Sequence, residues 1–144
     1  MIRFIKIEYG SKHYQKEIDL RKEYLRKPLK LSFSEEHLKK EKDDMHFGLF
    51  DEKGKIIACL VISKISSDIV HLKQMVVAEE KRKTGKGKKL LSFAEEYLKK
   101  EGISKIILHS RKDSVGFYQK SGYLIEGSEF IEVTIPHFKM AKTI

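Results

Sequence analysis

Residues 74–91 read QMVVAEEKRKTGKGKKLL, and their reading decides the fold. Met75, Val76 and Val77 form an apolar strand end. A short basic loop with Gly85 and Gly87 follows, and from there an amphipathic helical pattern continues past Leu98. A strand, glycine loop and helix in this order aim several backbone N–H groups at one point, where the helix dipole adds positive potential. Arg82, Lys83, Lys86 and Lys88 surround that point with charge. Such a cradle suits a phosphate-bearing ligand held against the end of a strand.

Working outward, the chain alternates strands and helices. Residues 2–9 alternate apolar and polar side chains as an opening strand does. Residues 12–26 place Tyr14, Ile18, Arg21 and Leu25 at helical spacing, with Pro28 as the stop. Ser34 can cap a second helix, which the two carboxylates Glu35 and Glu36 favour and which ends near residue 40 or 41. Short strand runs at 45–50 and 55–64 are joined by a hairpin-type turn, and a second turn at 66–68 leads into a strand over 69–77. Three antiparallel strands in a meander are the simplest layout. The helix after Gly87 buries Leu90, Leu91, Ala94, Tyr97 and Leu98 and stops at Gly102. Residues 103–109 then read as a buried strand, 112–120 as a short helix, and one or two strands follow Tyr123. The pattern predicts one α/β (α+β) domain over residues 1–144, built on a mixed, mostly antiparallel sheet flanked by helices.

The chain has 144 residues, enough for a real core. Its 30 Lys and Arg against 21 Asp and Glu leave a formal charge of +9, which favours anionic partners without choosing among them. Cys59 is the single cysteine, so neither a disulfide nor a thiolate zinc site is expected; it lies in an apolar run and reads as a small buried hydrophobe. No apolar stretch approaches the roughly 20 residues of a membrane span, and the charged N-terminus does not fit a signal peptide. A cytoplasmic protein away from membranes is the expectation. Unpaired outer strands leave a homodimer open.

Three phosphate motifs can be tested on the loop. A P-loop needs glycine at position 82 and Ser or Thr at 89, where Arg82 and Lys89 stand. A dinucleotide fingerprint needs a third glycine at position 90, which is Leu90. The segment Arg82-Lys83-Thr84-Gly85-Lys86-Gly87 instead resembles Arg/Gln-x-x-Gly-x-Gly/Ala, the pyrophosphate loop of the GNAT superfamily of acyl-CoA-dependent N-acyltransferases. Downstream, residues 117–123, Phe-Tyr-Gln-Lys-Ser-Gly-Tyr, look like the Phe-Tyr-x-Lys-x-Gly-Phe/Tyr segment of the same superfamily. The order of elements agrees over the whole chain, and residues 130–137 are similar to a subgroup of small bacterial members of undefined substrate.

The resemblance implies transfer of an acetyl group from acetyl-CoA to a primary amine on a small molecule or peptide, with no metal. It places Arg82, Lys83, Thr84, Gly85, Lys86, Gly87 and Lys88 on the pyrophosphate. The pantetheine arm would lie along Met75, Val76 and Val77, and Ser114, Phe117 and Lys120 would border the cofactor. Tyr118 matches the position of the general acid that protonates the leaving thiolate; a phenol with a pKa of about 10 stays protonated near neutrality and can do so.

Two positions depart from the pattern: Gln74 stands where a glutamate base is common, and Arg111 where asparagine is frequent. His71, His109, Glu129, Glu132 and His137 are the remaining base candidates. The substrate side is walled in this architecture by the first two helices and the last strands, which points to Arg21, Tyr24, Arg26 and Glu129. An arginine there would suit an acceptor carboxylate. The alternative is a non-catalytic module that binds CoA or, through the six cations among residues 81–89, nucleic acid. Nucleic acid is disfavoured, because no aromatics interleave with those lysines.

Overall fold

The structure, a computed structural model, describes residues 1–26 and 38–144, without the side chains of Leu25 and Arg26. Eight strands form one sheet: β1 (Arg3–Ile7), β2 (Met45–Phe50), β3 (Ile56–Lys64), β4 (Ile69–Val77), β5 (Lys105–Arg111), β6 (Leu124–Ile125), β7 (Phe130–Glu132) and β8 (Ile135–Thr143). Their order across the sheet is β1-β2-β3-β4-β5-β8-β6, with β7 also paired to β8. Among the described residues only β4 and β5 run parallel; every other pairing there is antiparallel. The expected mixed, mostly antiparallel α/β layout is what forms.

The middle strand explains the layering. The first seven residues of β3 are all buried, so both of its faces need cover. On one face lies α2 (Lys86–Lys100), whose Leu90, Leu91, Ala94 and Leu98 join Phe47, Leu60, Ile62 and Leu72 in the larger core. On the other lies α1 (Lys12–Arg21), whose Tyr14, Ile18 and Leu20 pack with Phe50, Cys59 and Val76. Cys59 is thus the buried hydrophobe its apolar run suggested, and burial pushes its thiol well above the ordinary range. A short helix, α3 (Val115–Lys120), follows β5.

Two boundaries differ from the sequence reading. The helix expected over 12–26 is α-helical only to Arg21; residues 22–26 wind more widely as a π-helical turn. After Tyr123 there are three strands, because a two-residue turn at Val133 and Thr134 folds β7 back onto β8. Both turn residues take positive φ, 49° and 63°, which β-branched residues rarely adopt. The expected stop at Pro28 and the capping Ser34 lie outside the described residues.

Candidate functional site

The strand that leads into the glycine loop carries an irregularity that shapes everything around it. Lys73 of β4 pairs with Val61 of β3, but Val76 pairs with Cys59. Gln74 and Met75 therefore stand opposite Leu60 alone, and Gln74 takes a φ of 54°. This is a β-bulge, and it resets which face each side chain meets. Val70 and Leu72 before the bulge, and Met75 and Val77 after it, share the α2 face. Val76 joins the core beneath α1. By alternation, His71 and Lys73 point to that second face too.

Beside the bulge the sheet opens. β4 and β5 stay paired from Ile69↔Lys105 to Leu72↔Leu108 and then part. Beyond Leu72, the β5-side edge of β4 has no strand partner among the described residues. A cleft of about 1100 Å³ occupies the gap and is bordered by side chains from both faces of the sheet. A second hollow of about 600 Å³ opens near Tyr9, Ser11 and Leu38. No histidine or carboxylate among the described residues lines it, so the cleft is the better candidate.

At one end of the cleft α2 begins. Gly85 is its N-cap with φ 78°, a left-handed conformation suited to glycine, and no side chain caps the helix. Lys89 N–H donates to the Gly85 carbonyl, so the N–H groups of Lys86, Gly87 and Lys88 precede the first intrahelical bond. Gly87 matters for closeness: a Cβ there would lie 3.0 Å from Val77 Cγ2 and 3.3 Å from Phe117 Cζ. Lys83, Lys86 and Lys88 border the cleft. Arg82 is engaged locally, its Nε donating to the Val77 carbonyl at 3.1 Å and its guanidinium 5.2 Å from the Tyr24 ring centre. Thr84 does not line the cleft; its hydroxyl donates to the Lys81 carbonyl and braces the loop.

Ser114, Phe117, Tyr118 and Lys120 border the same cleft, on the α2 side. The Tyr118 ring is buried and its hydroxyl meets Met75 Sδ at 3.5 Å, a weak acceptor. Burial pushes this phenol above its ordinary value, so it stays protonated at any physiological pH.

Across the gap stand the histidines. The His71 and His109 ring centres are 4.9 Å apart. His109 Nδ1 lies 3.1 Å from Glu132 Oε1, and His137 Nε2 lies 3.7 Å from Glu132 Oε2. Desolvation, together with His109 and Lys73, holds His71 below its ordinary value and keeps it neutral near pH 7. Glu132, one of the base candidates, is the carboxylate that lies beside two imidazoles. Only its alternation with Phe130 along the last strands could have hinted at this.

Two expectations need correction. Arg21 does not face the cleft: its guanidinium is fully buried, held by Glu17 Oε2 at 2.8 Å and by Glu41 Oε1 and Oε2 at 2.8 and 2.6 Å. It therefore has no route to an acceptor carboxylate. Glu129 does not line the cleft either; its carboxylate pairs with Lys112 Nζ at 3.1 Å. Tyr24 does reach the cleft, from the π-helical turn, while the side chain of Arg26 lies outside the described residues.

Comparisons with known proteins follow the same lines. Residues 15–144 match the sequence family described as the acetyltransferase (GNAT) domain. The protein YyaT of Bacillus subtilis, whose name records no activity, is 38% identical over 82 residues, covering 57% of this chain and 55% of its own length. The chain spans about half the length of the curated relatives it matches. An acyl-CoA N-acyltransferase structure from Pseudomonas aeruginosa superposes with a TM-score of 0.82 at 16% identity, covering 99% of both chains. A GNAT-family acetyltransferase from Elizabethkingia anophelis, solved with acetyl-CoA bound, superposes with a TM-score of 0.75 at 19% identity, covering 99% of this chain and 98% of its own. At such identities the structural likeness is one of fold. Among the described residues, no helix is long and apolar enough to cross a membrane.

Proposed function

The chain belongs to the acetyltransferase (GNAT) family, and from that premise we propose that it transfers an acetyl group from acetyl-CoA directly to a primary amine. Residues 1–144 act in this reading as a single N-acetyltransferase domain. The thioester supplies an activated acetyl group and a good leaving group; the chain supplies position and protons.

The residues fit such a donor. The uncapped N–H groups of Lys86, Gly87 and Lys88 suit a diphosphate, and the missing Cβ of Gly87 lets the start of α2 pack closely on Val77 and Phe117 beside the cleft. Lys83, Lys86 and Lys88 act as steering charges more than as shaped ligands. Arg82, tied to Val77 and Tyr24, fixes the loop against the strand end. The β5-side edge of β4 beside Met75, Val76 and Val77 has no strand partner among the described residues and suits an extended pantetheine arm, and one N–H there can face the thioester oxygen as an oxyanion donor. Ser114 and Lys120 border the arm, and Phe117 packs on Gly87. Tyr118 gives its proton to the departing sulfur, a step suited to a phenol held neutral by burial.

One observation carries this reading: the uncapped start of α2, the unpaired edge of β4 and the Tyr118 hydroxyl all border one cleft. Acetyl-CoA or CoA should therefore raise the thermal unfolding midpoint by mass action. No stabilisation at millimolar concentrations of either would overturn it. A steeply salt-dependent affinity for DNA or RNA in its place would favour the nucleic-acid module.

A further inference from the structure

We propose that the acceptor is an α-amino acid with an apolar side chain, and that Arg111 holds its carboxylate while its amine meets the acetyl group. The proposal rests on the acetyl-transfer reading above and names a substrate class for it.

Arg111 is the last residue of β5. Ile106 and Leu108 of that strand lie in the core beneath α2, so by alternation His109 and Arg111 point to the opposite face. The ring contact of His109 with His71 marks that face. The neighbouring strand agrees: Leu108 stands opposite Met140 of the same core, and Arg111 opposite His137. Leu72 and Leu108 form the last pair of β4 and β5, and Met75 and Arg111 each come three residues later. The two stand on opposite banks of the gap, and both line the cleft. Met75 meets the Tyr118 hydroxyl on the α2 face, where the sulfur departs in the reading above. The other face is left for the acceptor, and Arg111 is on it.

Arg111 is set apart by its lack of an anion. Other cations around this face each have one: Lys73 pairs with Asp44 at 3.2 Å, Lys112 with Glu129 at 3.1 Å and Lys139 with Glu126 at 3.8 Å. Among the described residues the Arg111 guanidinium has neither an ion pair nor a hydrogen bond, although the residue is partly buried. Two carboxylates line the cleft, those of Asp113 and Glu132. Asp113 makes no ion pair with Arg111, and Glu132 lies against His109 and His137. A wall so short of free carboxylates is a poor host for a polyamine. A permanently charged planar fork beside the reacting carbon suits a carboxylate. Because Arg111 is level with Met75, that carboxylate must lie close to the amine, as it does when one carbon separates them. Val133 and Ile135 line the cleft next to Glu132 and offer the acceptor side chain an apolar wall.

The step balances. The amine nitrogen forms a bond to the acetyl carbon and the carbon–sulfur bond breaks. Of the two protons the ammonium loses, one ends on the sulfur and one in solvent. The carboxylate stays ionised on Arg111 throughout.

Two matched pairs of acceptors test this: L-leucine with L-leucinol, and L-methionine with L-methioninol, each pair differing only at the carboxylate. Thiol release by wild type should favour each amino acid over its alcohol by about tenfold or more in kcat/KM. Arg111→Gln should lower kcat/KM for the amino acids about thirtyfold, chiefly through KM, and leave the alcohols near their wild-type values. Arg111→Lys should restore part of the loss. The acetyl-CoA thermal shift and the KM for acetyl-CoA should be unchanged in both variants, which also shows that they fold. With the wild-type shift intact, turnover that ignores the carboxylate, or no turnover of any of the four, would overturn the proposal. So would an equal loss with all four acceptors or a raised KM for acetyl-CoA in Arg111→Gln, either of which would put Arg111 on the donor. Absence of the shift in wild type would sink the cofactor reading, and this proposal with it.

Discussion

Two clusters of imidazole and carboxylate sit beneath different parts of the sheet, and only one of them is open. The closed cluster joins Glu17 and Arg21 of α1 to Glu41 and to His46 of β2, and all four are buried. His46 Nδ1 faces Glu17 Oε2 at 2.9 Å and its Nε2 faces the Glu41 carbonyl at 3.0 Å. With acceptors on both sides the ring carries both protons. Ligand atoms of Glu17, Glu41 and His46 also lie within 4.8 Å of one another, an arrangement able to hold a cation, but the Arg21 guanidinium already fills that role. In the open cluster, His71, His109, His137 and Glu132 border the cleft, and neither His71 ring nitrogen has a hydrogen-bond partner among the described residues. The same residue types form a buried structural tie in one place and line an open cleft in the other.

If this contrast holds, damage to the closed cluster should cost stability and leave chemistry alone. Arg21→Met removes the buried guanidinium that Glu17 and Glu41 share and should destabilise by roughly 3–5 kcal/mol. For a chain of this size, that lowers the unfolding midpoint by roughly 10 °C or more. The acetyl-CoA thermal shift should survive in the folded fraction. A folded Arg21→Met protein that no longer responds to acetyl-CoA would join the two regions and break the contrast.

Damage to the cleft should do the reverse. Tyr118→Phe removes a hydroxyl whose only partner among the described residues is the Met75 thioether, so stability should move by less than about 1 kcal/mol. Loss of the acid should lower kcat about a hundredfold, roughly 2.7 kcal/mol in the barrier, with CoA affinity kept. Steady-state kinetics beside a binding titration separate the two effects. An unaltered kcat would remove Tyr118 from the proton path.

Gly87→Val should act more gently, on binding. Its Cβ would press on Val77 and Phe117 and shift the start of α2, where the uncapped amides lie. A loss of about tenfold in CoA affinity, about 1.4 kcal/mol, is the expected outcome of isothermal titration. Affinity equal to wild type would mean that the ligand does not approach this backbone.

The two clusters were unequally legible in the sequence. The glycine loop and Tyr118 could be read because they are local: residue types at fixed spacing beside a strand end. The closed cluster could not. Glu17 and Arg21 are visible four apart on one helix, but Glu41 and His46 come from a later turn and strand. From sequence alone, Arg21 is therefore a candidate for an acceptor carboxylate. The bulge was equally hidden, since nothing in a glutamine announces a φ of 54° and the register lies in the pairing with β3. Without it His71 would share a face with Met75. The turn at Val133 and Thr134 hid Glu132 in the same way, because β-branched residues are the last expected at positive φ. Glu129 and Glu132 look interchangeable until that hairpin turns one toward the cleft and leaves the other on Lys112.

The smallest effect sharpens the contrast most directly, because it pits one histidine against another. At His46 burial opposes the charged form, but the Glu17 hydrogen bond and charge outweigh it, and the folded-state pKa is raised. The folded protein then binds the proton more tightly than the unfolded chain. Its stabilising contribution is complete below the unfolded value of about 6.5 and is lost as pH rises through the raised one. At His71 the folded value is depressed, mainly by desolvation, so the unfolded chain holds the proton better. Stability should fall there as pH drops below about 6.5. Unfolding midpoints measured against pH should thus decline on both sides of neutrality. His46→Gln should flatten the alkaline side alone, and His71→Gln the acid side down to where carboxylates begin to titrate. If either substitution flattened the opposite limb, the contrast between a charged imidazole in one cluster and a neutral one in the other would be reversed.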